Sequence, residues 1–128
     1  KNVGLPLNLQ PAHWPVNPAP ASYAFIAAKN NGDGNIGKLM HVMTRACWSE
    51  QRDVSQDEVI RDCLSAAGFD PALADSGLLQ GAEEYVAHLE HAVEAGAFGA
   101  PFFIVDDGQR FWGQDRLADL DAHLAGGV

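Results

Sequence analysis

A chain of 128 residues, 47% hydrophobic and 20% charged, holds enough apolar material for one domain with a core and too little for two of ordinary size. Its net charge of −9, with no run of Lys or Arg to offset it, argues against nucleic acid or an anionic membrane as the main partner. No apolar stretch approaches the roughly 18 residues of a membrane span, and the opening residues are not expected to be a signal peptide.

Residues 1–15 carry Gly4, Pro6, Pro11 and Pro15 and read as extended or turn-like chain. With no initiating Met, this stretch is expected to come from the middle of a longer protein. A first helix is expected to follow, with Asn17 as N-cap, Pro18 in the first helical position, and Asn30, Asn31 and Gly32 at its end. Ile36, Leu39, Met40, Met43, Ala46 and Cys47 recur at three-and-four spacing and predict the apolar face of a second helix. A capping box, Ser55-Gln56-Asp57-Glu58, announces a third helix with Val59, Ile60, Cys63 and Leu64 inward and Gly68 as C-cap. A short helical turn over "DPALADSG" leads into a longer helix that ends at Gly96. Cys47 and Cys63 therefore both fall on helices, without the spacing of a disulfide framework or a zinc site. Two reduced, buried thiols are expected, and with them a cytoplasmic setting.

After Gly96 the period changes. "PFFIV" has the length of a strand buried on both faces, Asp107-Gly108 reads as a two-residue hairpin turn, and "QRFWG" as the returning strand. Gln114 to Leu124 predicts a final helix with Leu117, Leu120 and Leu124 inward. A lone hairpin is marginal in water, so this β-β-α unit reads as half of a larger mixed sheet.

A β-β-α unit entered through a helix, a glycine and an X-Pro bond resembles the second half of a thioredoxin fold, in which that bond is cis. "GAFGAPFFIV…RFWGQDRL" resembles, more specifically, the C-terminal signature of the 2-hydroxychromene-2-carboxylate isomerase family, relatives of the kappa-class glutathione transferases and of thioredoxin-like disulfide oxidoreductases. "GLPLNLQPAHWPVNPAPASYAFIAA" and "RACWSEQRDVSQDEVI" look like the start and middle of that family's helical insertion. The resemblance implies an α/β thioredoxin-like fold with a helical insertion, of which this chain holds the mostly α-helical insertion and the C-terminal half. The division it implies is a lead-in over 1–16, the insertion over 17–94 and the β-β-α half over 95–128.

The resemblance further implies glutathione as cofactor, a small aromatic substrate, a homodimer, and a catalytic serine upstream of Lys1. None of Ser22, Ser49, Ser55, Ser65 and Ser76 matches that serine. Ala100, before the cis Pro101, would pair its backbone with the cysteinyl part of glutathione. The family's Gly-[Ser/Asn/Gln]-Asp-Arg element is matched in full by Gly113-Gln114-Asp115-Arg116, with Gln114, Asp115 and Arg116 at the γ-glutamyl end. Elementary chemistry agrees: a helix start offers free N–H groups to a carboxylate, Asp115 can accept from an ammonium, and Arg116 can donate to a carboxylate. The plain alternative for Asp115 is an acid meeting the helix dipole. His13 and Trp14 are candidates for the aromatic substrate pocket, with ordinary packing as the alternative.

His88 and His91, three apart on the long helix, have no visible third ligand, so no metal is expected. Trp48 and Trp112 read as core residues, and Asp62, Glu83 and Glu84 as solvated helix faces. Two competing functions remain: a glutathione transferase or disulfide oxidoreductase of the same fold, and a helical binding module without catalysis.

Overall fold

The computed structural model describes residues 4–126; the first three residues of the expected lead-in and the last two of the chain lie outside the described residues. Two compact units emerge, Lys1–Ala87 and His88–Val128, the division falling inside the longest helix.

The first unit is built from α1 (Ala19–Asn31), α2 (Ile36–Trp48), α3 (Asp57–Ala66), α4 (Leu73–Ser76) and the opening turns of α5 (Leu78–Glu94). Helix α1 starts at Ala19, one residue later than Asn17 and Pro18 predict, with Pro18 in the N-cap place; the Asn17 carboxamide oxygen still accepts from the Ala19 N–H at 3.1 Å. It stops at Gly32, whose φ of 80° is a left-handed turn that only glycine adopts freely. Asn35 caps α2 by accepting from the Lys38 N–H at 2.8 Å.

The core of this unit joins Ala24 and Ala28 of α1 with Leu39, Val42, Met43 and Ala46 of α2, Ile60, Cys63 and Leu64 of α3, and Phe69 and Ala74 beyond it. Small alanines on α1 let the neighbouring helices approach, and Leu39 and Leu64 are completely enclosed. Helix α5 comes closer still. A Cβ on Gly81 would stand 2.6 Å from the carbonyl oxygen of Tyr23, so backbone lies against backbone there.

Two local expectations give way. The capping box over Ser55–Glu58 does not form, because Asp53 takes the Ser55 N–H and turns the Ser55 hydroxyl into its own donor. Its carboxylate accepts from the Ser55 N–H at 2.9 Å, the Ser55 hydroxyl at 2.6 Å and the Gln56 amide at 3.0 Å. An Asp two residues ahead closes the tighter ring, so Gln56 starts α3 without a side-chain cap. Glu84 is no free surface acid either: it accepts from Asn30 at 2.7 Å and Gln80 at 2.9 Å. Asp62, by contrast, is an exposed partner of Arg52 at 2.5 Å.

The second unit holds the end of α5, the strands β1 (Phe102–Ile104) and β2 (Arg110–Trp112), a 3₁₀ turn over Gln114–Arg116, and α6 (Leu117–Leu124). The strands pair antiparallel with Phe103 opposite Phe111. The turn between them has three residues, not the expected two. Val105 and Gln109 still pair, the Gly108 N–H closes back on Val105, and Gly108 takes a φ of 85°. The turn is thus finished by a left-handed glycine, a combination that suits the strand twist as a two-residue Asp-Gly loop also would.

The inward assignments in this unit fare differently from those in the first. Ile104, Leu117 and Leu124 are exposed, Leu120 is half-buried, and Trp112 is exposed by 53%, so none of them is core among the described residues. Trp48 is half-buried. A two-stranded sheet has too little surface to bury both faces of β1.

Candidate functional site

The geometry of the second unit begins with its glycines. After β2 the chain must reverse, and Gly113 does so at φ 97°, a conformation closed to ordinary side chains. A Cβ there would overlap the Asp115 carboxylate, which folds back beneath the Gly113 backbone. The Gly113 N–H donates to the Pro101 carbonyl at 3.0 Å, and the Gly113 carbonyl accepts from the Arg116 N–H at 3.2 Å. These two bonds fasten the 3₁₀ turn to the start of β1.

The Ala100–Pro101 bond is cis, as is Trp14–Pro15, which the sequence reading had not singled out. Ala100, Trp112, Gly113, Gln114, Asp115 and Arg116 then line one cleft of about 580 Å³. Of the residues expected to form a cradle, Ala100, Gln114, Asp115 and Arg116 meet in that cleft. Pro101 contributes its carbonyl to the fastening and does not line it.

Trp112 was missed as a cleft residue because a Trp in an apolar strand reads as core. Its neighbours carry the missing signal. The indole nitrogen sits where a Cβ of Gly99 would be, and the ring packs edge-on to Phe98 at 5.0 Å, with Phe98 in turn 5.0 Å from Phe102. Gly99 is what lets the nitrogen edge of the indole come against the chain ahead of Ala100.

Electrostatically the cleft is two-signed. Asp115 carries a carboxylate, and Arg116 a guanidinium whose Nε pairs with Asp119 at 3.0 Å, with no partner to its terminal nitrogens among the described residues. Elsewhere in this unit Asp107 meets His123 at 2.7 Å, pinning the hairpin turn to α6. The Gln109 N–H, and then His123, hold the Asp107 carboxyl below the usual carboxylate range.

The first unit holds a separate feature. Trp14, Phe25, Met40, Met43, Cys47 and Trp48 are among the residues lining an apolar pocket of about 300 Å³ between α1 and α2. The lead-in forms one wall and is strapped across the end of α2. Asn8 donates to the carbonyls of Trp48 at 2.7 Å and Ser49 at 3.1 Å, the Ser49 hydroxyl donates to Pro6, and the Gln51 side chain accepts from the Ala12 N–H at 2.6 Å. This strap sets Trp14 4.8 Å from Trp48. His13 does not line the pocket and is exposed.

Cys47 and Cys63 are free and buried. Burial pushes both thiols up, with Asp53 adding to the effect at Cys47. His88 and His91 are exposed, and no group of three or more His, Cys, Asp or Glu able to hold a metal ion occurs among the described residues. Among those residues, too, no helix is long and apolar enough to cross a membrane.

Comparison with known proteins gives two matches. Residues 1–125 match the DSBA-like thioredoxin domain. The chain is also 30% identical over 118 residues to the 2-hydroxychromene-2-carboxylate isomerase of Sphingobium xenophagum, a match that spans 89% of this chain and 59% of that relative's length.

Proposed function

The chain belongs to the DSBA-like thioredoxin domain family, and from that premise we propose that the complete protein is a glutathione-dependent isomerase of small aromatic compounds, of the 2-hydroxychromene-2-carboxylate isomerase type. The observation that carries this reading is the convergence of Ala100 with Gln114, Asp115 and Arg116 in one cleft. Support also comes from the relative of that name, of whose length the chain spans about three fifths. The homodimer belongs to the same proposal.

The residues present suit the γ-glutamyl end of glutathione, which carries an ammonium and a carboxylate on one carbon. Asp115 accepts from the ammonium and the free nitrogens of Arg116 donate to the carboxylate, so the pair reads both charges at once. Ala100, at the head of β1, has main-chain groups to give to an extended peptide, in the manner of an added strand. Trp112 forms an apolar wall beside them. Bound there, glutathione supplies a thiol nucleophile that the chain's own cysteines do not, since both are buried and held protonated.

The test is turnover by the full-length protein. Interconversion of 2-hydroxychromene-2-carboxylate and trans-o-hydroxybenzylidenepyruvate should require added glutathione and stop when S-methylglutathione replaces it. Equal rates without any thiol would overturn the reading.

A further inference from the structure

Helix α2 carries its sulfur atoms in a row. Met40, Met43 and Cys47 are three and four residues apart, which sets them within an arc of about 60° on one face of the helix. All three line the Trp14 pocket. Cys47 is only 5% exposed, yet among the described residues it lies outside the core cluster to which Cys63 belongs. Met43 is 9% exposed and Met40 49%, so the row runs from an enclosed thiol to a thioether that meets solvent. The indoles of Trp14 and Trp48, 4.8 Å apart, line the same space and offer π faces to a cation.

From this arrangement we propose that Cys47 and Met43, with Met40 closing from the solvent side, form a binding site for one soft monovalent cation, Cu(I). Thiolate and thioether are the ligands that such an ion prefers. Hard cations find little here: the lining has no Asp or Glu, and its side-chain oxygens are the hydroxyls of Ser22 and Thr44. The first turn of α1, through Pro18, Ala21 and Ser22, lines the pocket too, and its positive end opposes a bare cation while favouring a thiolate. The ion therefore enters with its charge cancelled. The Cys47 S–H bond breaks, its proton goes to solvent, and the sulfur keeps the electron pair that forms the S–Cu bond. Thiolate and Cu(I) together are neutral, so no net charge is buried among apolar walls. Burial holds the free thiol protonated, so metal binding at neutral pH releases close to one whole proton. The site stands apart from the glutathione cleft and does not rest on the isomerase reading.

The experiment titrates the full-length protein with silver nitrate at neutral pH, free of glutathione and chloride. Ag(I) shares the charge and softness of Cu(I) and keeps one oxidation state. Tryptophan fluorescence and proton release are followed together, and wild type is compared with variants whose folding is checked by circular dichroism. Cys47→Ala should lose about one equivalent of bound silver and about one released proton, whereas Cys63→Ala should lose neither. Met43→Leu, which keeps the volume and removes the sulfur, should weaken that equivalent by about tenfold or more. Should Met43→Leu fail to fold, Met40→Leu, at a half-exposed position, decides by the same measure. Anaerobic Cu(I), held by a competing chelator, should rank the proteins in the same order. Silver retained in full by Cys47→Ala overturns the proposal. So does an affinity unchanged by the methionine variant, which would mean a lone thiol, and so does silver binding without Cu(I) binding.

Discussion

Gly113 and Pro101 are joined by a single backbone hydrogen bond of 3.0 Å, and that bond holds the two halves of the cleft in register. Pro101 follows Ala100, and Gly113 precedes Gln114, Asp115 and Arg116. A bond between the inner residues therefore sets the outer ones side by side. The relationship needs no side chain from either partner, which is why a left-handed glycine can serve at one end and a proline carbonyl at the other.

Asp115→Asn tests what that alignment is for. The amide keeps the shape and remains acceptable near a helix start, but it loses the charge offered to an ammonium. Glutathione affinity of the full-length protein should fall about tenfold, corresponding to roughly 1.5 kcal/mol for a charged hydrogen bond in a wet site. Isothermal titration of both proteins is the measurement. Unchanged affinity in a folded variant would reduce Asp115 to a helix-start acid.

Gly99→Ala should disturb the same cleft by crowding. Its Cβ would overlap the Trp112 indole nitrogen, so the ring must swing away and give up its edge contact with Phe98. We expect a cost of about 1–3 kcal/mol in denaturant unfolding, together with weaker glutathione binding. A double variant, Gly99→Ala with Trp112→Ala, should recover part of the crowding cost, since the obstacle is then gone.

Gly81→Ala probes the helical unit instead. Here the obstacle is the Tyr23 backbone, with its carbonyl oxygen at 2.6 Å and Cα at 2.8 Å, and backbone cannot rotate out of the way. The substitution raises helix propensity and should still destabilise by about 2–3 kcal/mol. A rise in the unfolding midpoint would show that α1 and α5 are not packed so closely.

Asp107 gives a pH dependence of known sign. Its folded carboxyl is held below the unfolded value by the Gln109 N–H and by His123. The stability it contributes is therefore fully present above an unfolded pKa near 4, and is lost as pH falls through the lower folded value. The protection factors of the Gly108 and Gln109 amides, their exchange relative to an unfolded chain at the same pH, should fall on acidification below about pH 4. In Asp107→Asn that acid-dependent step should shrink, with exchange faster at neutral pH.

The thiols should be unreactive in the folded state. Burial holds Cys47 and Cys63 protonated, so iodoacetamide at neutral pH should leave both unmodified and label them only after denaturation, as read by peptide mass mapping. Rapid labelling of Cys47 in the native protein would mean that the pocket beside it opens.

Much of this protein was legible before any coordinates, and for a local reason. Helix ends depend on a residue and its neighbours within one turn, so Asn17, Gly32 and Gly68 mark them directly, and the period of Leu39, Met43 and Ala46 names a buried face. The Gly-Gln-Asp-Arg run was singled out by its resemblance to a family element, and its residues do line one cleft with Ala100. Where two local signals competed, the closer one won, and Asp53 displaced the capping box of Ser55. Other features required tertiary structure because their causes lie far apart in the chain. Trp112 and Leu117 are apolar in a way that cannot be told from core, and only the small area of a two-stranded sheet leaves them exposed. The cleft depends on residue 101 bonding residue 113, and the Trp14 pocket on a strap from Asn8 and Ala12 to the end of α2, some forty residues away. Spacing along the chain carries no record of such pairings, because each is selected by packing and hydrogen-bond geometry that arise only when the elements come together.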